Sequence, residues 1–345
     1  MILDTVGMFD AAAAFPEQIA RALDVSERTL DNAHLPDHDD VANVVLLGAG
    51  GAGLAARLVL EAVGPTIPVP VVVHRGYGVP NFVDSSTLVV AISFDGETSE
   101  TLEAAQDALA DEAMVVCVSK GGALQDWAES NGLLHFPVMA DAPVERAALA
   151  SLSVPVLLFL ERIGMYPGAG EWIRSAALQA TRRRNELITE QNLARRLSRR
   201  LGRSLPIVYG GNGPGGFAAE FWKSQFNQNA KVASFAHQVP ELTHDEIAGW
   251  GQDGDVTRQV FQAFLLRHEF EHPQVSQRLE VVEEILVEVV GSVHIVEAEG
   301  DGLLAQLFDL VLIGQFVTLH AAVEQGVDPG PVPIVAEIAS RVGDA

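Results

Sequence analysis

Two turns, one rich in glycine and the other in hydroxyl groups, carry the first sign of chemistry. Residues 48–53 read GAGGAG after the apolar run NVVLL, and residues 93–102 read SFDGETSETL after TLVVAI. A strand that ends in Gly, Ser or Thr and feeds a helix exposes several backbone N–H groups at the positive end of the helix dipole. Such a turn can cradle an anion, phosphate above all. Thr98 and Ser99 could instead cap the helix, with Asp95 and Glu97 favourably charged in its first turn. These carboxylates stand where a bound anion would sit, so the sequence suggests a cradle that Asp95, joined by Glu97, fills from within.

Other spacings are weaker. GAGGAG satisfies GxGxxG through Gly48, Gly50 and Gly53, but a dinucleotide site needs an acidic residue at the end of the next strand, and the chain has His74 and Arg75 there. Arg75 suits a phosphate better than a ribose. His268 and His272 are spaced i, i+4 in RHEFEHP, yet two ligands beside a proline do not make a metal site. Neither a cofactor nor a metal is expected. Cys117, the single cysteine, lies in AMVVCVS and reads as a core residue with no internal disulfide.

The elements that must position these turns are apolar runs of strand length at 43–47, 69–73, 87–92, 114–118 and 133–138, separated by helical patterning. Runs without polar alternation point to parallel strands covered on both faces, and the strand–helix–strand order gives an α/β fold. A helical region follows over 145–163 and 171–201, its arginines (RRRNEL, ARRLSRR) read as a solvated or subunit-facing surface. Then LPIVYGGNGPGGFAAEFWK repeats the logic of NVVLLGAGGAGLAARLVL, with strand candidates at 232–236, 258–266 and 292–297 and helices at 273–290 and 303–325. The expected architecture is two tandem domains, each a parallel sheet flanked by helices: residues 1–163, a helical connection over 164–203, and residues 204–345.

A formal net charge of −24 argues against nucleic acid and anionic membranes as partners. The N-terminus has no basic region of a secretory signal, and no uninterrupted apolar run reaches about 18 residues, so a soluble cytoplasmic protein is expected. The run LFDLVLIGQFVTLHAAVEQG is apolar nearly all round and asks for burial on more than one side, which suggests a homodimer.

GAGGAG and SFDGETSETL together resemble the sugar isomerase (SIS) module. APVERAALASL (142–152), EFWKSQFNQNAKV (220–232) and PELTHDEIAGW (240–250) are similar to segments of the bifunctional phosphoglucose/phosphomannose isomerases, a family of two SIS modules. The resemblance implies a sugar-phosphate site that includes Gly50 and Gly51. The family's phosphate-holding serine of the first turn falls on Ala52. In the second turn Ser93 and Thr98 match, while the middle serine falls on Asp95. The site arginine matches Arg146, the proton-transferring glutamate falls on Gln228, and the ring-opening histidine matches His244, which family members supply from the partner subunit. Near the C-terminus the family's threonine falls on Val332 and its lysine on Ala339.

Aldose–ketose isomerisation needs a base beside a carbonyl, and an amide has no titratable site for this near neutral pH. The resemblance therefore implies an isomerase with weakened or lost catalysis. Three readings stay open: an isomerase that uses another acid (Glu220, Asp245 or Glu246), a non-catalytic binder of a sugar or sugar phosphate, and a structural dimer with a vestigial site.

Overall fold

Short apolar strands and alanine-rich helices alternate along the chain, and each alternation adds one parallel strand to a sheet. A computed structural model describes residues 3–31, 33–139 and 142–342. It divides into two units, one of Glu17–Arg174 with the segment from Val332, the other of the residues up to Pro16 with Ser175–Pro331.

The chain opens with helices α1 (Met8–Ala13) and α2 (Phe15–Leu30). The first sheet is then laid down by β1 (Asn43–Leu47), α3 (Gly50–Val63), β2 (Val71–His74), β3 (Thr87–Ile92), α4 (Ser99–Ala110), β4 (Met114–Ser119), α5 (Gly122–Ser130) and β5 (Leu134–Pro137). α6 (Leu149–Arg162) follows and packs on α3. The strand order is β2-β1-β3-β4-β5, all parallel. β3 is buried at every position, which is why TLVVAI carries no polar alternation. From β1 the chain goes to β2 on one side and returns to β3 on the other. That reversal puts the turns after β1 and β3 side by side at the carboxyl ends of the strands, where open α/β sheets bind ligands. Cys117 is fully buried in β4, and burial pushes its thiol up to about 12.

α7 (Ala169–Leu187) begins in this unit and ends in the other. The second unit continues with α8 (Leu193–Leu201), β6 (Leu205–Gly211), α9 (Pro214–Gln225), β7 (Phe235–Val239), α10 (Gly254–Val260), β8 (Phe261–Arg267), α11 (Pro273–Val289), β9 (Val293–Glu297) and α12 (Leu303–Gln325). Its sheet runs β7-β6-β8-β9, again all parallel. α13 (Pro333–Val342) belongs to the first unit.

Several expectations are corrected. The strand expected over 258–266 begins only at Phe261, because its first residues close the short helix α10. The 171–201 helical region is two helices, and Asn192 caps the second by accepting the Arg195 N–H at 2.8 Å. The arginine run is not wholly a surface: Arg183 is 5% exposed and paired with Asp309. α12 is long and apolar enough to cross a membrane by length and composition, and it is the core helix of its own unit, buried from Leu304 to Ala322. It packs on α8 and α9, with Trp222 Nε1 donating to the Leu310 carbonyl at 2.8 Å. α1 covers another part of it, with Phe9 against Phe316 at a ring separation of 6.4 Å. The apolar surface that suggested a dimer is thus satisfied within the chain.

Candidate functional site

β1 delivers the chain to Gly48, and α3 starts two residues later at Gly50, whose φ of 54° favours glycine. A Cβ on Gly48 would lie 2.9 Å from the Ala52 carbonyl carbon, and one on Gly53 would lie 2.8 Å from the Gly48 oxygen. The outer glycines of GAGGAG therefore serve the close approach of strand end and helix. Arg75 turns its Nη2 to the Gly53 carbonyl at 3.2 Å.

Over the head of α3 sits the carboxylate of Glu145, from the short turn ahead of α6. Its Oε1 accepts the Ala52 N–H at 2.8 Å, and the Gly51 N–H adds a second bond. A Cβ on Gly51 would meet Glu145 Cγ at 2.9 Å, and one on Gly50 would meet its Oε2 at 3.2 Å. Burial raises the Glu145 pKa above the ordinary carboxylate range and Asp95 raises it further, while the Ala52 and Gly51 amides and Arg146 oppose the rise. Arg146 is 8% exposed, and burial lowers its pKa to about 10 against the pull of Glu145.

The second turn satisfies itself. Ser93 Oγ accepts the Gly96 N–H at 3.1 Å and lies 2.9 Å from Thr98 Oγ1. Thr98 occupies the N-cap position of α4 without a side-chain capping bond, so its hydroxyl serves Ser93 instead. Gly96 has φ 82°, and a Cβ there would lie 1.9 Å from the Gly121 oxygen. Asp95 is exposed and its Oδ1 accepts a local donor, the Glu97 N–H at 3.0 Å. Glu97 reaches to another helix, where its Oε1 accepts the Ala123 N–H at 3.1 Å in the first turn of α5. The expectation that Asp95 and Glu97 together fill the SFDGETS cradle is corrected in residue and place. Asp95 takes one amide of its own turn, Glu97 serves α5, and the carboxylate lodged in a glycine cradle is Glu145.

In the other unit, Gln228 lies in the wider turn Phe226–Ala230 that extends α9. Its Nε2 donates to Ser224 Oγ at 3.1 Å. Lys231, with φ 56°, ends the turn and donates from Nζ to the carbonyls of Gln228 and Asp328, both at 2.7 Å. Buried Asn229 donates to Gln225 Oε1 and Thr318 Oγ1. His244 follows a one-turn helix at Glu241–Thr243 and is exposed. Of the acids near it, Glu246 accepts the Tyr209 hydroxyl proton, and Asp245 accepts the Glu246 N–H and lies 3.8 Å from His237 Nε2. Glu220 is half-buried on α9. On the strand register His268 stands where Ser93 stands in the first sheet, one residue past the strand beside the glycine turn. It borders a cavity of about 500 Å³ with Arg267, Glu269, Glu271, Ser276 and Glu297. Burial lowers the pKa of its ring. His272 is instead the exposed cap of α11, its Nδ1 accepting the Gln274 N–H at 3.2 Å.

Gly50, Gly51, Ala52 and Arg146 thus come together around Glu145, and Ser93, Asp95 and Thr98 form the neighbouring turn. Gln228 and His244 belong to separate turns of the other unit. Val332 and Ala339 are half-buried, before and on α13. Glu145 was not among the candidate residues. The available signal was an acid beside the candidate arginine in APVERAAL.

Residues 190–342 match the family model described as the bacterial phospho-glucose isomerase C-terminal SIS domain. The chain is 30% identical over 341 residues to a bifunctional phosphoglucose/phosphomannose isomerase of Caldicellulosiruptor bescii, covering 98% of this chain and 99% of the relative. A protein of the same description from Thermoplasma acidophilum is 30% identical over 87% of this chain and 90% of its own length. A D-glucosamine-6-phosphate 4-epimerase of Sulfolobus acidocaldarius is 28% identical over 62% of this chain and 65% of its own. Among solved structures, the C-terminal domain of glucosamine-fructose-6-phosphate aminotransferase from Francisella tularensis has the same fold, with a TM-score of 0.72 at 14% identity over 93% of this chain and 96% of that one.

Proposed function

Since the chain belongs to the bifunctional phosphoglucose/phosphomannose isomerase family, we propose that it binds a hexose or hexose phosphate and that its aldose–ketose isomerisation is weakened or lost. The observation that carries this reading is Gln228. It occupies the position where the family resemblance calls for the proton-transferring glutamate, and its amide donates to Ser224. Proton abstraction next to a carbonyl needs a group that gains and loses a proton near neutral pH, and general-base catalysis contributes about 10²- to 10⁴-fold. Of the three acids that could substitute, Glu246 is engaged by Tyr209, Asp245 by the backbone, and Glu220 lies on α9 eight residues before Gln228, about 12 Å along a helix. Ala52 lacks the hydroxyl expected of a phosphate-holding serine, and Ala339 lacks the cation that would support an enediolate. In this reading Arg146 is the buried cation of the sugar site, His244 is the ring-opening group, and Ser93 and Thr98 supply hydroxyls. No cofactor takes part.

A second reading, a binder that senses a sugar without turning it over, is favoured by the way both turns of the first unit spend their amides on the chain's own side chains. The proposal includes a cytoplasmic homodimer. Support for the dimer now comes from α13, where Ile334, Val335 and Ile338 are each more than half exposed. Incubation with fructose 6-phosphate, with glucose 6-phosphate and mannose 6-phosphate assayed as products and binding measured in parallel, separates the readings. Turnover at rates ordinary for an enzyme would overturn the first. Binding of neither hexose nor hexose phosphate would overturn both.

A further inference from the structure

We infer that Glu145 is the resident anion of the first glycine turn and that it selects against phosphate, so that the sugar presents hydroxyl groups rather than a phosphate to this turn. The inference rests on the sugar-binding reading above and narrows its substrate class to unphosphorylated sugars.

Three observations carry it. The donors that would hold an external anion are spent, since the Gly51 and Ala52 amides both bond the Glu145 carboxylate. The space is taken as well: a single added carbon on Gly51 would lie 2.9 and 3.0 Å from Glu145 Cγ and Cδ, and one on Gly50 3.2 Å from its Oε2. The charge is also of the wrong sign for a phosphate. Asp95 adds to the negative potential at Glu145, and Glu145 offsets part of the charge of Arg146, the buried cation beside it. Two like charges about 4 Å apart at an effective dielectric near 20 weaken binding by roughly 10³-fold.

The carboxylate is also held in place. The carbonyls of Val144 and Glu145 accept the amides of Ala147 and Ala148, and this turn runs straight into α6. The amides of Ala150 and Ser151, at the start of α6, are fixed by Gln18 Oε1 at 3.0 and 3.3 Å. A side chain anchored on a buried helix that packs against α3 occupies the cradle as a built part of the domain.

The test measures binding rather than turnover, so it is independent of whether catalysis survives. Inorganic phosphate is titrated into the full-length protein and into Glu145→Ala and Glu145→Gln, with the backbone amide signals of Gly51 and Ala52 followed by NMR. Glu145→Ala is expected to bind phosphate at least tenfold more tightly than wild type, with both amide signals shifting on addition. Glu145→Gln, which keeps the shape and an acceptor oxygen but loses the charge, is expected to fall between the two. Phosphate affinities within threefold of one another in all three proteins, or tighter binding without shifts at Gly51 and Ala52, would overturn the assignment. Should Glu145→Ala fail to fold, the comparison of Glu145→Gln with wild type decides alone.

Discussion

Arg183 and Asp309 meet as a two-point pair, with Nε 2.8 Å from Oδ1 and Nη2 2.9 Å from Oδ2. Asp309 has no exposed surface, and Gln179 Nε2 and the Glu299 N–H complete its bonding. Burial works against the guanidinium charge, but the bonds to Asp309 outweigh it and raise the Arg183 pKa. Arg183 also pairs with Glu186 at 2.8 Å and Glu299 at 3.0 Å, so Asp309→Ala leaves its charge partly compensated and should cost less in urea unfolding than the roughly 3–5 kcal/mol of a fully stranded buried charge, and the double variant Arg183→Met/Asp309→Leu should cost less than that single change. A double variant as unstable as Asp309→Ala would mean that the pair contributes chiefly by its own attraction.

Restoring one carboxylate should not restore an enzyme. Gln228→Glu alone is expected to leave fructose 6-phosphate turnover within about tenfold of wild type, because proton transfer needs the substrate held to within about 1 Å and misplacement costs around 10²-fold. Rescue should require Ala52→Ser, Asp95→Ser and Ala339→Lys in the same chain together with removal of the Glu145 carboxylate from the first turn, with non-additive gains. Ordinary isomerase rates from the single variant would show that the base was the one missing part.

Asp95 acts on the first turn only through space. Asp95→Asn keeps the acceptor for the Glu97 N–H and removes a charge that raises the Glu145 pKa. Side-chain carbonyl NMR titration should show the Glu145 pKa fall in this variant. Phosphate affinity should change less than it does in Glu145→Ala. A Glu145 pKa that stays the same or rises would mean the two groups do not sense each other.

His320 ties stability to pH. Burial, with Arg195 and Arg199 adding to it, lowers its pKa from 6.5 to about 4. Between those values the unfolded chain binds a proton that the folded chain refuses, so stability is full above about 6.5 and is lost as pH falls towards 4. For a ring this buried the contribution is up to roughly 3 kcal/mol. His135, His268 and His294, also lowered by burial, act with the same sign. Chemical unfolding across this window should show a shallower pH slope for His320→Leu than for wild type. An identical slope would remove His320 from the account.

The first sheet was legible because strands buried on both faces leave uninterrupted apolar runs. NVVLL and TLVVAI became β1 and β3 with the bounds read from the sequence. At 258–266 the strand was read three residues early, because Arg258–Val260 run straight into the apolar strand FQAFLL while closing a helix that starts at Gly254. The glycine turns were legible for a local reason, since strand end, turn and helix start are contiguous. Glu145 was not, because it acts on Ala52 from 93 residues away and nothing local marks the contact. Arg183 was misread for the same reason. Its partner lies 126 residues on, and a run of arginines looks like a surface until one of them is given a buried carboxylate.

The packing of α1 on α12 sets a timetable for the newborn chain. Phe9 of α1 meets Phe316, and Phe15, the first residue of α2, meets Phe308, so both find their partners about 300 residues later. At roughly 5–20 residues per second, synthesis keeps α1 waiting on the order of 15–60 s before Phe316 emerges. All five strands of the first sheet, by contrast, have been made by residue 137. During that interval Phe9 and Phe15 lack the partners they meet in the folded chain. The second unit therefore closes only after α12 has been made, later than the strands of the first sheet.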